Sequence, residues 1–150
     1  MWNPKKNPNF TGKSATNLER EHPRLLHNGI WAGLATGAAI TPMEWNDSSF
    51  WGRMTPEMME HMSHLATFVS DLPLAHLNPA PLEATTNSWD VRAWGLVSQD
   101  KTVAFFWVLD TRPGETRTDA TVTLNGLTSG EYTVCPFDTW QGVYRDESTT

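Results

Sequence analysis

Along this chain the spacing of apolar residues changes character once. In the first half they recur at three- and four-residue steps, and in the second half they alternate. "RLLHNGIWAGLA", residues 24–35, puts Leu26, Ile30, Trp31 and Leu34 on one helical face. Gly29 and Gly33 lower helix propensity there but permit close packing, and Gly37 supplies a stop. "GAAITP", residues 37–42, is small and apolar, contains Ile40 and Thr41 and ends at Pro42, which predicts a short buried strand. "MEWNDSSFWGRM", residues 43–54, has the composition of a loop. "TPEMMEHMSHLATFVSDLP", residues 55–73, predicts a second helix. Thr55 caps it, Pro56 suits its first position, Glu57 faces the positive end of the dipole, and Asp71 and Pro73 close it. Its expected apolar stripe is Met58, Met62, Leu65 and Val69, flanked by Met59, Ala66 and Leu72.

After Leu74, "AHLNPAPLEATTNS" reads as a Pro-containing connector, and strands follow. In "DVRAWGLVS", Val91, Ala93, Gly95 and Val97 alternate with Arg92, Trp94 and Leu96. "QDKT" is a turn, and "VAFFWVLD" is apolar enough for a strand buried on both faces. "ATVTLNGL" alternates with Val122 and Leu124 inward, and "TSGEYTVCPFD" carries a further strand after a Gly turn. Residues 1–23, punctuated by Pro4, Pro8, Gly12 and Pro23, read as irregular. The expected organisation is α+β: an irregular stretch 1–23, a helix–strand–helix unit 24–76, a linker 77–86 and an antiparallel β-sandwich 87–150. A lone parallel-type strand between helices cannot bury itself, so 24–76 is expected to belong to a larger assembly.

Charge narrows the function classes. A net charge of -6 argues against nucleic acid, which demands a basic footprint, and against an anionic membrane surface. No stretch reaches the ~20 apolar residues of a membrane span. The lysines of "MWNPKKNPNFTGKS" have no apolar core behind them and do not read as a secretory signal, while the compartment stays open. Cys135 is the single cysteine, which excludes an internal disulfide and any multi-Cys metal site; it reads as a small buried hydrophobe. No Ser-His-Asp pattern, phosphate-binding glycine loop or Cys/His cluster appears, so no cofactor is expected.

Eight tryptophans against two tyrosines are the compositional anomaly, because Trp serves both as core filler and as a platform for sugars. If 37–42 is a strand, the following loop sits where parallel α/β folds bind ligands. Trp45 and Trp51 would then stack on a pyranose face, with Glu44, Asn46 and Asp47 binding hydroxyls. The same two tryptophans read equally well as plugs of the strand end. Glu44 and Asp47 are too close in one loop to be assigned as a glycosidase pair, whose carboxylates come from separate elements. His61 and His64, with Glu57 and Glu60, have the spacing of a metal site but fall on the expected polar face, where a solvated surface is favoured. His27, one turn before Trp31, is expected to be packed.

"LHNGIWAGLATGAAITPMEWND" resembles the end of the (β/α)8 barrel of clan A, cellulase-like glycoside hydrolases. In that family an "HN-x-x-WA" helix leads into a small-residue last strand ending in Trp. "MTPEMMEHMSHLATFVSDLPL" is similar to the closing barrel helix. "VRAWGLVSQDKTVAFFWVLDTR" and the "G-x-Y-x-v…DT-x-x-G" run at 130–142 resemble the C-terminal β-sandwich, and the likeness covers about residues 24–146. The resemblance implies the last βα unit of a barrel plus its accessory sandwich, in a retaining enzyme that hydrolyses polysaccharide or oligosaccharide. It matches Trp45 to the sugar-stacking Trp at the end of strand 8, with Asn46 and Asp47 as neighbours. The family's catalytic glutamates follow strands 4 and 7, upstream of the His-Asn helix. Glu19 and Glu21 lie in "NLEREHPR" without a matching motif, so no catalytic residue is transferred. The implied partner is the N-terminal part of the barrel, and the chain is expected to be an inactive C-terminal portion. The alternative is a carbohydrate-binding or purely structural β module, with Trp89, Trp94, Trp107 and Trp140 as candidate platform residues.

Overall fold

A computed structural model describes residues 15–38, 55–112 and 117–149. Two helices, α1 (Ala15–Ala35) and α2 (Pro56–Ser70), are followed by a single turn, α3 (Leu74–Leu77). The strands are β1 (Ala80–Pro81), β2 (Glu83–Thr86), β3 (Val91–Val97), β4 (Ala104–Asp110), β5 (Val122–Asn125), β6 (Thr133–Val134), β7 (Phe137–Asp138), β8 (Val143–Tyr144) and β9 (Ser148–Thr149). The architecture is α+β, and every strand pairing is antiparallel: β1-β3-β4, β2-β5, β6-β9 and β7-β8.

Helix α1 begins well before the expected Arg24. "ATNLERE" consists mostly of good helix formers, so the helix runs through Pro23 even though that ring forgoes the bond to the carbonyl of residue 19. It ends as expected at Gly37, whose φ of 73° allows the Gly37 amide to bond Leu34 and the Ala38 amide to bond Gly33, a Schellman closure. Beyond these two residues, the expected strand 37–42 lies outside the described residues. Helix α2 has its expected cap: Thr55 is extended, and its hydroxyl accepts from the Met58 amide at 3.2 Å.

The buried face of α2 differs from the expected stripe. Met58, His61 and Leu65 are buried, Phe68 and Val69 pack beside them, and Met59 and Met62 are exposed. The helix is rotated so that Phe68 meets the Trp31 ring, centroids 5.3 Å apart, and His61 meets His27. The expected Pro-containing connector carries structure of its own. Pro81 sits in β1 at the edge of its sheet, a strand position where a missing amide is tolerated, and β2 pairs with β5.

Strands β3 and β4 form as expected, paired from Val91↔Asp110 to Val97↔Ala104. One face of the pair carries Trp94 opposite Trp107, stacked at 5.8 Å. Trp107 belongs to the same buried cluster as Leu26, Ile30, Trp31, Ala35, Met58 and Leu65, so helices and sheet share a core. Strand β4 is not buried on both faces as its apolar run suggests. It is an edge strand: Phe105 and Trp107 are buried, and Val108 on the opposite side is exposed. Cys135, expected to be buried, is exposed, and its thiol points to Glu147 at 3.5 Å. It lies between the two-residue strands β6 and β7, beside Pro136, which is exposed as well.

Gly95 faces Phe106 across the ladder, and a Cβ at this position would come within 2.5 Å of the Phe105 carbonyl and 2.6 Å of the Phe106 Cβ. Gly95→Ala is expected to destabilise the protein by ~2 kcal/mol or more, because backbone rather than a flexible side chain must give way. Urea unfolding followed by far-ultraviolet circular dichroism measures this, and an unchanged midpoint would refute it.

Candidate functional site

Glu44, Trp45, Asn46, Asp47 and Trp51, the expected saccharide residues, lie outside the described residues. Within them, the most concentrated chemistry lies where α1, α2 and the β7–β8 hairpin meet. His27 is 1% exposed, held in the core by the same face that buries Ile30 and Trp31. Its Nδ1 lies 3.3 Å from Nδ1 of His61, and its Nε2 lies 3.1 Å from the Thr139 hydroxyl, 112 positions away. The Trp140 indole covers the His27 ring, stacked at 3.8 Å and inclined by 13°, and meets the His61 ring edge-on at 5.2 Å.

The turn that delivers Thr139 and Trp140 is built locally. The Asp138 carboxylate accepts from the backbone amides of Trp140 and Gln141, both at 3.0 Å, and pairs with Arg145. The Arg145 hydrogen bond, opposed by burial and helped by the two amides, holds the Asp138 carboxyl below its usual range. Gly142 closes the turn at φ 66°, against the His64 ring.

Burial is the main reason that His27 is a very weak base, its pKa lowered to about 3; His61 and His64 add to the effect and Asp138 opposes it. His61 is lowered as well, chiefly by burial, with Glu57 at 4.0 Å pulling the other way. The chain Thr139–His27–His61–Glu57 has the order of a nucleophile, a base and its orienting groups. An imidazole this acidic does not take a proton from a hydroxyl near neutral pH, and a stacked indole covers it. The arrangement is therefore a polar joint between helices and hairpin. Among the described residues no group of three or more His, Cys, Asp or Glu side chains is placed to hold a metal ion.

His61 and His64 thus leave the solvated surface expected for them: His61 is buried and His64 is largely covered by the hairpin. The signal was the 3-4-3 spacing of Met58, His61, Leu65 and Phe68, a core stripe with an imidazole in one slot. His27 is packed, as expected. Trp94 and Trp107 are turned to the helices, which removes them from any exposed platform.

Trp89 is different. It is 84% exposed on a braced turn, in which Thr86 Oγ1 donates to the Ser88 and Val91 carbonyls and Asn87 bonds the backbone of Asp119 and Thr121. The adjoining shallow cleft measures about 460 Å³ and is lined by Thr86, Asn87, Ser88, Trp89, Val91 and Arg92. No helix among the described residues is long and apolar enough to cross a membrane. No protein-family model, curated protein or solved structure matches the chain.

Two left-handed glycines separate backbone strain from docking. Gly142 abuts His64, whereas Gly126, at φ 85°, has open space around it. Gly142→Ala is expected to lose ~2 kcal/mol or more, and Gly126→Ala only ~1 kcal/mol, since the first adds a collision to the same dihedral penalty. Thermal unfolding of both variants checks this; equal losses would show that the hairpin does not rest on His64.

Proposed function

We propose that this chain is the C-terminal portion of a polysaccharide-degrading glycoside hydrolase: the last βα unit of a (β/α)8 barrel followed by its accessory β-sandwich. One observation carries the reading. Two of the motifs that carry the resemblance, "HN-x-x-WA" at 27–32 and "DT-x-x-G" at 138–142, meet in space through His27, Thr139 and Trp140. Residues that recur together in a family and lie this far apart in sequence have a physical reason to do so when they form one joint.

On this reading the loop after Pro42 contributes to a saccharide site. Trp45 stacks on the apolar face of a pyranose, and Asn46 and Asp47, with Glu44 and Trp51 beside them, bind hydroxyls and close the rim. The parent enzyme cleaves O-glycosidic bonds with two carboxylates from other barrel strands, one donating a proton to the leaving oxygen and the other attacking the anomeric carbon. Residues 1–150 alone are inactive, because neither carboxylate is assigned to them. A second reading, a carbohydrate-binding β module, is favoured by the exposure of Trp89 on its rigid turn.

The reading frame 5′ of the Met1 codon is expected to continue open and to encode further βα units with glutamates at two strand ends; a stop codon directly upstream overturns the proposal. Purified 1–150 is expected to release no sugar from glucan, mannan or xylan, and Trp45-dependent hydrolysis would contradict it. Retention on insoluble polysaccharide that Trp89→Ala abolishes would favour the binding module.

A further inference from the structure

We infer that the His27–His61 pair is an acid-sensitive latch, which holds the Thr139–Gly142 turn against α1 and α2 and releases it when both imidazoles become charged. Two ring nitrogens 3.3 Å apart share one hydrogen, so one donates and the other accepts. Take His27 Nε2–H as donor to Thr139 Oγ1; His27 Nδ1 then accepts from His61 Nδ1–H. One extra proton has a place, on His61 Nε2, which is buried, has no hydrogen-bond partner among the described residues and lies 4.0 Å from the Glu57 carboxylate. A second has none. On His27 Nδ1 it would set two N–H groups head to head and bury two cations in contact. Exchanging the tautomers swaps the roles of the two rings but not the count.

The stacked Trp140 indole and the Thr139 hydroxyl occupy the space beside His27. For a doubly charged pair to separate, that turn must lift. The other charged groups around the pair set how readily this happens. On α2, Glu57 and Glu60 favour protonation and His64 opposes it; on the hairpin, Asp138 favours it but is already engaged by Arg145; on α1, Arg24 is one turn away and exposed. Two further anchors remain on the hairpin: Phe137 against Trp31 and Phe68, which contains no titrating group, and Tyr144, which is hydrogen-bonded to Asp71 at the end of α2.

The sign follows from linkage. Latched, His27 protonates at about 3; released, at its ordinary 6.5. The released form therefore binds the extra proton, the latch is intact above 6.5, and it weakens as pH falls toward 3. The release constant rises by up to roughly tenfold per pH unit in that window.

Hydrogen exchange of the 1–150 chain, compared at about pH 7 and about pH 4.5 and corrected for the intrinsic pH dependence of exchange, tests this. Amides of 139–142 are expected to lose protection at the lower pH while β3 and β4 keep theirs. In His61→Gln, whose amide oxygen accepts from a charged His27, the acid loss is expected to shrink. Unchanged protection at 139–142, loss only together with β3 and β4, or a wild-type profile in His61→Gln would each overturn the latch. If His61→Gln does not fold, imidazole NMR of the wild-type chain decides. His27 is expected to titrate only as the turn opens, and ordinary titration with the turn closed would overturn the inference.

Discussion

Trp31 must be buried, and no single element of this chain can bury it. Its ring meets Phe68 of α2 at 5.3 Å and Phe137 of the β7–β8 hairpin at 5.7 Å, and it shares a buried cluster with Trp107 of β4. A Trp side chain removes an area large enough to be worth several times a single methylene, so the position of α1 is set by where three elements can converge on it. Among the described residues the buried indole Nε1 has no hydrogen-bond partner, an arrangement that costs about 1–3 kcal/mol and that packing outweighs at this point. The rotation of α2, which exposes Met59 and Met62, follows from the same demand.

One turn from Trp31 the same seam becomes polar. His27 and His61 are as deeply placed as the aliphatic residues around them, and His27 bonds His61 through one ring nitrogen and Thr139 through the other. Apolar side chains of equal volume would fill the space without directional preference. Imidazoles fix which nitrogen faces which partner, and so the hairpin sits in one orientation with Trp140 over His27. Specific docking is thereby coupled to protonation, because a buried imidazole pair cannot carry two charges. At the far end of the β segment a second buried polar group is satisfied differently: Asp90 lies 3.5 Å from Arg112 and 3.9 Å from Arg117, beside the turn that exposes Trp89.

For a glycoside hydrolase of the proposed kind, this seam would join the closing helix of the barrel to the accessory domain. A rigid joint matters there because saccharide-stacking residues must be held within a fraction of an ångström of their working positions. The helices and the β3–β4 pair would act as one body, and the Thr139–Gly142 turn as a titratable attachment to it.

Local chemistry was legible from the chain alone. Thr55 and Pro56 start α2, Gly37 ends α1, the alternation at 91–97 gives β3 and the apolar run at 103–110 gives β4, because caps, positive φ and strand-length apolar patterns are properties of neighbouring residues. Helical spacing equally named His27 as packed, since it lies one turn before Trp31. Partners distant in sequence were another matter. Whether His61 or Met62 turned inward depended on which side of α2 met α1, a difference of one position on a helical wheel that propensity does not register. Pro81 entered a strand because an edge was vacant beside β3, and Cys135 stayed exposed because no described element covers its segment. The sequence determined the end of α1, the start of α2 and the positions of β3 and β4; the tertiary structure decided which faces are buried and which further segments pair as strands, because burial and pairing are properties of two surfaces and a linear pattern describes only one.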